Sequence, residues 1–202
     1  MKKNSWRSTK MARIEENQET FLKIYNQIGE NFKKKRKMNG WSQKQLCQET
    51  KKKYPNLSIT QSDISELEHK RKPENTLVHP RTYKLLCLAS TLEMHPSEIY
   101  SIKGEKEPFS SELYQNLTSE EEFKNKLGMN LDTIMKEKGY SRFLLTDLFV
   151  DKTNEFGILI SSDSDSIERS IQRYRNRERN LPFYYLILLC NALDVEISYF
   201  LS

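Results

Sequence analysis

Residues 60–70 of this chain have the sequence TQSDISELEHK and predict a short amphipathic helix. Thr60 is of a type that caps helix starts, and Ile64 and Leu67 are three residues apart, so both lie on one face of the helix. The other positions are polar, and basic residues follow directly at 70–72. The polar outer face of this helix therefore either binds a partner or is simply exposed to solvent.

The sequence before this stretch predicts two more helices. Gly40 follows Asn39, and this pair accepts the positive φ that ends a helix. Ser42 then caps a second helix that begins at Gln43. The first helix is indicated by apolar residues that recur at intervals of three and four. These are Phe21, Ile24, Tyr25, Ile28 and Phe32.

The sequence after it predicts a further helix and a last short one. Pro96-Ser97 opens the short helix. The longer one is marked by Leu85, Leu86, Leu88, Ala89 and Leu92. No segment alternates with the period of a strand, and the apolar run at 157–160 is too short to build a sheet on. The predicted class is all-α.

The second half of the chain repeats the first. IGENFKKKRKMNGWSQKQL, from Ile28, aligns with LGMNLDTIMKEKGYSRFLL, from Leu127, at an offset of 99 residues. TYKLLCLASTLEMHPSEIY (82–100) aligns with FYYLILLCNALDVEISYFL (183–201) at an offset of 101. A long internal repeat of this kind indicates two related helical units. We place them at 1–102, including an N-terminal arm, and at 109–202, with KGEKEP at 103–108 as a linker.

A series of residues in the first unit resembles the Cro/CI-type helix-turn-helix proteins, the lambda-repressor-like or XRE family. The residues that carry the resemblance are Ile28-Gly29, Arg36, Gly40-Trp41-Ser42-Gln43, Leu46, Ile59-Thr60-Gln61, Ile64-Ser65, Leu67-Glu68, Pro80, Leu92 and Ile99. The resemblance covers about residues 24–100. It implies a five-helix DNA-binding domain whose recognition helix is 61–69. The second unit is similar to the family more weakly, as a divergent second copy.

Both units depart from the family between the second and third helices. In the first unit this segment is long, so either the second helix is extended or the chain bulges at Tyr54-Pro55. In the second unit it covers 149–166, and we expect Ser166 to cap the third helix. Ile171 then aligns with Ile64, Tyr174 with Leu67, and Arg175 with Glu68.

The leading side chains of helix 61–69 suit the major groove, where each base pair presents its own donors and acceptors. Gln61 can bond an adenine through two atoms, Ser62 and Ser65 can donate or accept, and Glu66 can accept from cytosine. We predict these four residues as base contacts. The resemblance implies that Glu68 instead forms an internal pair with Arg36.

Attraction to phosphate is expected from the residues around this helix, because the helix itself is not basic. Gln43 lies at a helix start, where backbone amides favour an anion. The predicted phosphate contacts are Gln43, Lys44, Lys53, Thr60, Lys70, Arg71 and Lys72. Taken alone, these lysine runs are equally well explained as solvated surface.

The second unit carries arginines at and after the equivalent helix. Arg169, Arg173 and Arg177 form a candidate second surface for DNA or a partner, because the arginine fork binds guanine and phosphate. Salt bridges to the acidic segment at 162–166 are the alternative. The segment 183–193 is apolar almost all round, so we expect part of it to be core and part to face a partner.

Other functional classes find little support. Cys47, Cys87 and Cys190 lie in apolar helical patterns without metal-type spacing, so we expect buried thiols in a reducing compartment. No catalytic constellation, metal site or cofactor motif is present, and an enzyme is not expected. The chain has no signal peptide and no apolar run long enough to span a bilayer, so we expect a cytoplasmic protein.

The sequence thus favours a sequence-specific DNA-binding transcriptional regulator, a repressor, whose partner is double-stranded DNA. The net charge of +5 is compatible with nucleic acid. The second unit is expected to dimerise, to bind a regulatory protein or peptide, or to contact a second half-site, either in a homodimer or as an internal pseudo-dimer. The alternative is a protein-binding module, such as an antitoxin, anti-repressor or inhibitor, that retains the helix-turn-helix fold.

Overall fold

The structure is a computed structural model that describes residues 22–69, 81–101, 107–115, 117–155 and 164–201. Throughout these ranges the regular secondary structure is helical, and the described chain contains no strand. A single antiparallel bridge joins Arg81 to Pro182. The all-α prediction is confirmed.

The described residues of the first half form five helices, and α1 covers 22–38. The next four are α2 at Gln43–Lys53, α3 at Gln61–Glu68, α4 at Thr82–Thr91 and α5 at Pro96–Ile99. A 3-10 turn at Ser111–Tyr114 leads into the second half. The second half contains α6 at Glu120–Glu137, α7 at Arg142–Glu155, α8 at Ser164–Arg175, α9 at Phe183–Leu193 and α10 at Ile197–Leu201.

Side-chain caps set the starts of three helices, two of which, at Ser42 and Thr60, the sequence predicts. The hydroxyls of Ser42, Thr60 and Ser119 accept hydrogen bonds from the backbone N–H three residues ahead, at 3.1, 3.2 and 3.1 Å. The ends of α1 and α6 are followed by glycines with φ of 70° and 67°, Gly40 and Gly139. Local sequence therefore determines where these helices begin and end.

The segment between α2 and α3 takes the bulged form. The second helix stops at Lys53, and the Leu57 N–H donates to the carbonyl of Tyr54 at 3.0 Å to close a turn. In the second half, the expected cap at Ser166 is wrong, because α8 begins at Ser164 and Ser166 lies inside it. Two residues of helix precede Ser166, and its carbonyl accepts a hydrogen bond from the Ser170 hydroxyl at 2.9 Å.

The two halves repeat each other in their hydrogen bonds. Asn31 of α1 donates its side-chain N–H to the Ile99 carbonyl at 3.1 Å, and Asn130 of α6 donates to the Phe200 carbonyl at 3.0 Å. After α4 and α9 the chain turns through residues with φ of 54° and 50°, Glu93 and Asp194. The last helix of each half is therefore tied to the first helix in the same way.

Close packing joins α3 to α1 and α8 to α6. A Cβ added to Gly29 would lie 2.2 Å from the Leu67 carbonyl oxygen, and one added to Gly128 would lie 3.0 Å from the Tyr174 carbonyl oxygen. Leu67 and Tyr174 are both buried. This correspondence agrees with the register in which Tyr174 takes the position of Leu67.

One continuous apolar core runs through both halves. The helix α4 packs against α9, and α5 packs against α10. The Thr82 hydroxyl donates to the carbonyl of Leu181 across this junction. Most of α9 is buried, because it packs against α7 of its own half and α4 of the first half, which cover the apolar surface for which a partner was expected.

The three cysteines are buried free thiols, as predicted. None of the described helices has the length and apolar character needed to cross a membrane. The linker predicted at 103–108 lies largely outside the described residues, which resume at Glu107.

Candidate nucleic-acid interface

The outer face of α3 is open to solvent. Gln61, Ser62, Ser65 and Glu66 are all exposed, while the apolar side chains on the opposite face are buried. The Ser62 hydroxyl donates to a Glu66 carboxylate oxygen at 3.4 Å. All four predicted base-contact residues therefore share one accessible surface.

Asp63 is drawn away from this surface into the start of α3. Its carboxylate accepts hydrogen bonds from the Thr60 backbone N–H at 2.7 Å and from the Lys84 ammonium at 3.1 Å. Burial alone would raise the pKa of Asp63, but the Thr60 hydrogen bonds and the Lys84 charge outweigh it and lower the pKa. Asp63 is thus an ionised carboxylate whose charge is balanced by Lys84 and whose hydrogen bonds help to cap α3.

Glu68 is buried beneath α3 and paired with Arg36 of α1, as the family resemblance implies. The Arg36 Nε and Nη2 atoms donate to the two carboxylate oxygens at 2.5 and 2.6 Å. The hydrogen bond to Glu68 raises the pKa of Arg36, against the lowering effect of burial. Arg36 also donates to the Trp41 carbonyl, and Gln43 donates to Glu68 at 3.0 Å. This network ties α1, α2 and α3 together.

These pairings change the electrostatics of α3. Asp63 and Glu68 each have a cationic partner, so Glu66 is the carboxylate of α3 that has none within the described residues. A helix that carries three acidic residues therefore presents one of them, unneutralised, on its outer face.

The neighbouring helix α2 is strongly basic. Its sequence contains four lysines and one glutamate, and that glutamate, Glu49, bonds Lys52 at 2.6 Å. Lys44 and Lys51 are exposed. The Ser42 cap engages the Gln45 N–H, which leaves the amides of the first turn before it without intrahelical partners. The start of α2 therefore combines free donors with an exposed lysine.

Three of the residues predicted to contact phosphate form hydrogen bonds with other residues of the protein. Gln43 donates to Glu68, and the Thr60 hydroxyl bonds Asp63. The Lys53 ammonium donates to the Ser90 carbonyl at 2.9 Å, near the end of α4, where carbonyls attract a cation. Lys44 is the member of the predicted set that lies within the described residues and has no such partner. Lys70, Arg71 and Lys72 lie outside the described residues.

The second half presents different chemistry on the equivalent helix. With Ile171 aligned to Ile64, at an offset of 107 residues, Arg169 and Arg173 take the positions of Ser62 and Glu66. Both arginines are exposed, and the Arg169 Nε donates to the Asp165 carbonyl at 3.1 Å. These two predicted residues share one face of α8.

Arg177 does not join that face. It follows the end of α8 with a φ of 64°, and its Cγ lies 2.8 Å from the point where a Cβ on Gly128 would sit. The remaining arginine of α8 is internal, because the Arg175 Nε bonds Asp132 of α6 at 2.6 Å.

Phe143 and Leu144 were not among the predicted site residues. They lie in the first turn of α7 with exposed fractions of 56% and 43%. The guanidinium of Arg142 lies 4.6 Å from the Phe143 ring centroid and pairs with Glu168 at 3.0 Å. The repeat alignment contained the signal, since at its offset of 99 this pair occupies the positions of Lys44 and Gln45.

Comparisons with protein-family models, with curated proteins and with solved structures yield no match for this chain. Nor do the described residues contain a group of three or more histidine, cysteine or acidic side chains placed to hold a metal ion. The surface formed by α2 and α3 is therefore the feature of this protein that indicates its function.

Proposed function

We propose that this protein is a sequence-specific DNA-binding transcriptional regulator, a repressor of the Cro/CI helix-turn-helix kind, in which α3 reads the major groove. The observation that carries the proposal is the disposition of charge on α3. Asp63 and Glu68 are neutralised by internal cations, while short polar side chains remain exposed. The outer face of α3 is therefore polar and carries a single carboxylate without a cationic partner among the described residues.

The exposed side chains of α3 supply direct readout. Gln61 has the donor and acceptor that an adenine edge requires, and Glu66 can accept from cytosine. Ser62 and Ser65 can bond either donors or acceptors. A good bidentate contact discriminates against the wrong base by about 1–3 kcal/mol. Gln61 is therefore the residue whose loss should alter sequence preference most.

Phosphate binding is assigned to the beginning of α2. The side chain of Lys44 is exposed, and the amides of the first helical turn favour an anion. Lys51 is a further exposed cation on the same helix. Each phosphate that the protein neutralises contributes about −0.9 to the slope of log affinity against log salt. Binding should therefore weaken steeply as salt rises.

The test is selection of bound fragments from a random DNA pool, followed by gel shifts across a salt series. Gln61→Ala should change the preferred bases at one position. Lys44→Ala should weaken all sequences similarly and make the salt slope shallower by about one unit. Gln27→Ala, at an exposed glutamine of α1, is the matched control and should do neither. Recovery of no preferred sequence would refute the proposal.

A protein-binding role is the second candidate, and the exposed pair Phe143 and Leu144 favours it. Replacing both with serine should leave affinity for the selected DNA unchanged. If a protein docks there, the same variant should lose repression of a reporter that carries the selected site. Unchanged repression would remove the reason for assigning a partner to this pair.

A further inference from the structure

The junction between the two halves has the form of a two-fold dimer interface within one chain. Arg81 bridges Pro182, which is its own equivalent at the repeat offset of 101. The helix α4 meets its equivalent α9, and α5 meets its equivalent α10. A patch that contacts its own copy is the mark of an isologous interface.

Contacts away from this centre are reciprocal, as two-fold symmetry requires. Tyr83 of α4 packs against Phe123 of α6, with ring centroids 5.7 Å apart. In the other direction, burial raises the pKa of Tyr184 of α9, and Tyr25 of α1 is among the neighbouring groups that add to this shift. Tyr184 is the equivalent of Tyr83, while Phe123 aligns with the neighbour of Tyr25 in sequence, Ile24. The two equivalent tyrosines therefore both lie at the junction between the halves.

The starts of α5 and α10 follow the same rule. His95 precedes α5, and its equivalent at the offset of 101, Glu196, precedes α10. The carboxylate of Glu196 is among the charges that act on the His95 ring. Equivalent positions therefore lie on elements that face each other, since α5 packs against α10.

These contacts bury the surface of α4 and α5 to which a second copy of the chain would have to bind. Tyr83, Leu86 and Leu186 are buried within the chain, and the core continues across the junction without a break. A homodimer through α4 and α5 is consequently excluded unless the two halves separate. The third helices of the two halves, α3 and α8, each pack on the first helix of their own half.

We infer that a single chain occupies a DNA site as an internal dimer, with α3 on one half-site and α8, through Arg169 and Arg173, on the other. This inference rests on the proposed DNA-binding function. The two arginines stand where α3 carries Ser62 and Glu66, and arginine forks bind guanine and phosphate. The backbone carbonyl of Arg173 accepts the Glu178 N–H at 2.9 Å, but its guanidinium has no hydrogen-bond or ion-pair partner among the described residues.

The two half-sites must then be unlike. Polar tips on α3 read one, and arginines on α8 engage the other. At the start of α7, Phe143 takes the position of Lys44, and the cation that precedes it, Arg142, is paired with Glu168. The second half-site therefore has fewer phosphate contacts and contributes less affinity, and the whole operator is asymmetric.

The first experiment measures mass and stoichiometry with the full chain. Sedimentation of the free protein should give the mass of one chain, 24.0 kDa. With a selected duplex, the complex should contain one chain per DNA. Hydroxyl-radical footprinting should show two protected segments whose centres are about 10 base pairs apart.

The second experiment assigns the segments. Arg169→Gln with Arg173→Gln should remove protection of one segment and lower affinity for the full duplex about tenfold or more. The same variant should bind a duplex that keeps only the other segment as the parent does. Gln61→Ala should affect the opposite segment. Arg179→Gln, at an exposed arginine beyond the end of α8, is the matched control and should alter neither.

The outcomes separate this inference from the proposed function. Two chains bound per duplex, or a free protein that sediments as a dimer, would overturn the inference and leave DNA binding standing. An unchanged footprint with the arginine variant would show that α8 does not contact DNA and would favour a protein partner for the second half. Absence of any preferred DNA would refute both proposals.

Discussion

Arg36 and Glu68 form a buried, two-pronged ion pair that fastens the end of α3 to α1. Their side chains are exposed by 9% and 2%, and the two hydrogen bonds are 2.5 and 2.6 Å long. In the second half, Met135 and Arg175 take these positions, and Arg175 pairs with Asp132 instead. The junction between first and third helices is therefore kept in both halves, with the charges exchanged between the two helices.

Removing the cation of this pair should destabilise the protein strongly. Arg36→Met leaves the Glu68 carboxylate buried without a cation, with only the Gln43 hydrogen bond remaining, which costs about 3–5 kcal/mol in the free energy of unfolding. Urea titration followed by circular dichroism measures this cost. The control is Lys52→Met, which breaks an exposed pair with Glu49 and should cost less than about 1 kcal/mol. Equal effects of the two variants would contradict the assignment.

The glycine of α1 that faces α3 should resist replacement. A Cβ at Gly29 would meet the Leu67 carbonyl oxygen at 2.2 Å, so Gly29→Ala must push α3 outward. Overpacking of this kind costs about 1–3 kcal/mol. The affinity for selected DNA should fall as well, because the displaced helix is the one that reads bases.

Gly128→Ala is the comparison for that variant. The closest atom there is the Cγ of the flexible Arg177 side chain, at 2.8 Å, and the backbone oxygens lie at 3.0 Å. We therefore expect a smaller loss of stability than for Gly29→Ala, measured in the same urea titration. A larger loss at Gly128 would show that α8 is held more rigidly than α3.

Much of the fold follows from local signals in the sequence. The caps Ser42, Thr60 and Ser119 mark helix starts because their hydroxyls satisfy amides a few residues ahead, whatever the rest of the chain does. The exposed face of α3 follows in the same way, because the spacing of Ile64 and Leu67 leaves the other positions outside.

Contacts between distant segments did not follow from such signals. Lys84 reaches Asp63, and Lys53 reaches Ser90, because packing brings α4 beside α3 and the end of α2. Nothing in the spacing of these residues encodes that arrangement. For this reason the sequence assigned Lys53 to phosphate and gave no role to Lys84. Ser166 was placed as a cap because a serine is equally favourable at several neighbouring positions.

The cap of α3 offers a test that is independent of base contacts. Thr60→Ala removes the hydroxyl that accepts the Asp63 N–H and should cost about 1 kcal/mol in the free energy of unfolding. Ser58→Ala, at an exposed position in the same loop, is the control and should be nearly neutral. Urea midpoints measure both. If the two variants behave alike, the capping box contributes nothing to the stability of α3.

His95 should make the stability of the protein depend on pH. The ring is buried where α5 meets α10, and its Nδ1 accepts the Ser97 N–H at 3.2 Å. Its Nε2 lies 3.5 Å from a Glu107 carboxylate oxygen. Burial lowers the pKa of His95 and outweighs the carboxylates of Glu107, Glu98 and Glu196, which raise it. The folded protein therefore binds this proton less tightly than the unfolded chain, whose histidine pKa is about 6.5.

The sign of the effect follows from this difference. Stability from His95 is fully present above the unfolded pKa and is lost as the pH falls through the folded pKa, because protonation of Nδ1 removes the acceptor that caps α5. The urea midpoint of the parent should fall between about pH 7.5 and about pH 5, and His95→Gln should show a smaller fall. His69→Gln, at an exposed histidine, should behave as the parent does. Identical pH curves for the parent and His95→Gln would show that the junction between the halves is insensitive to this proton.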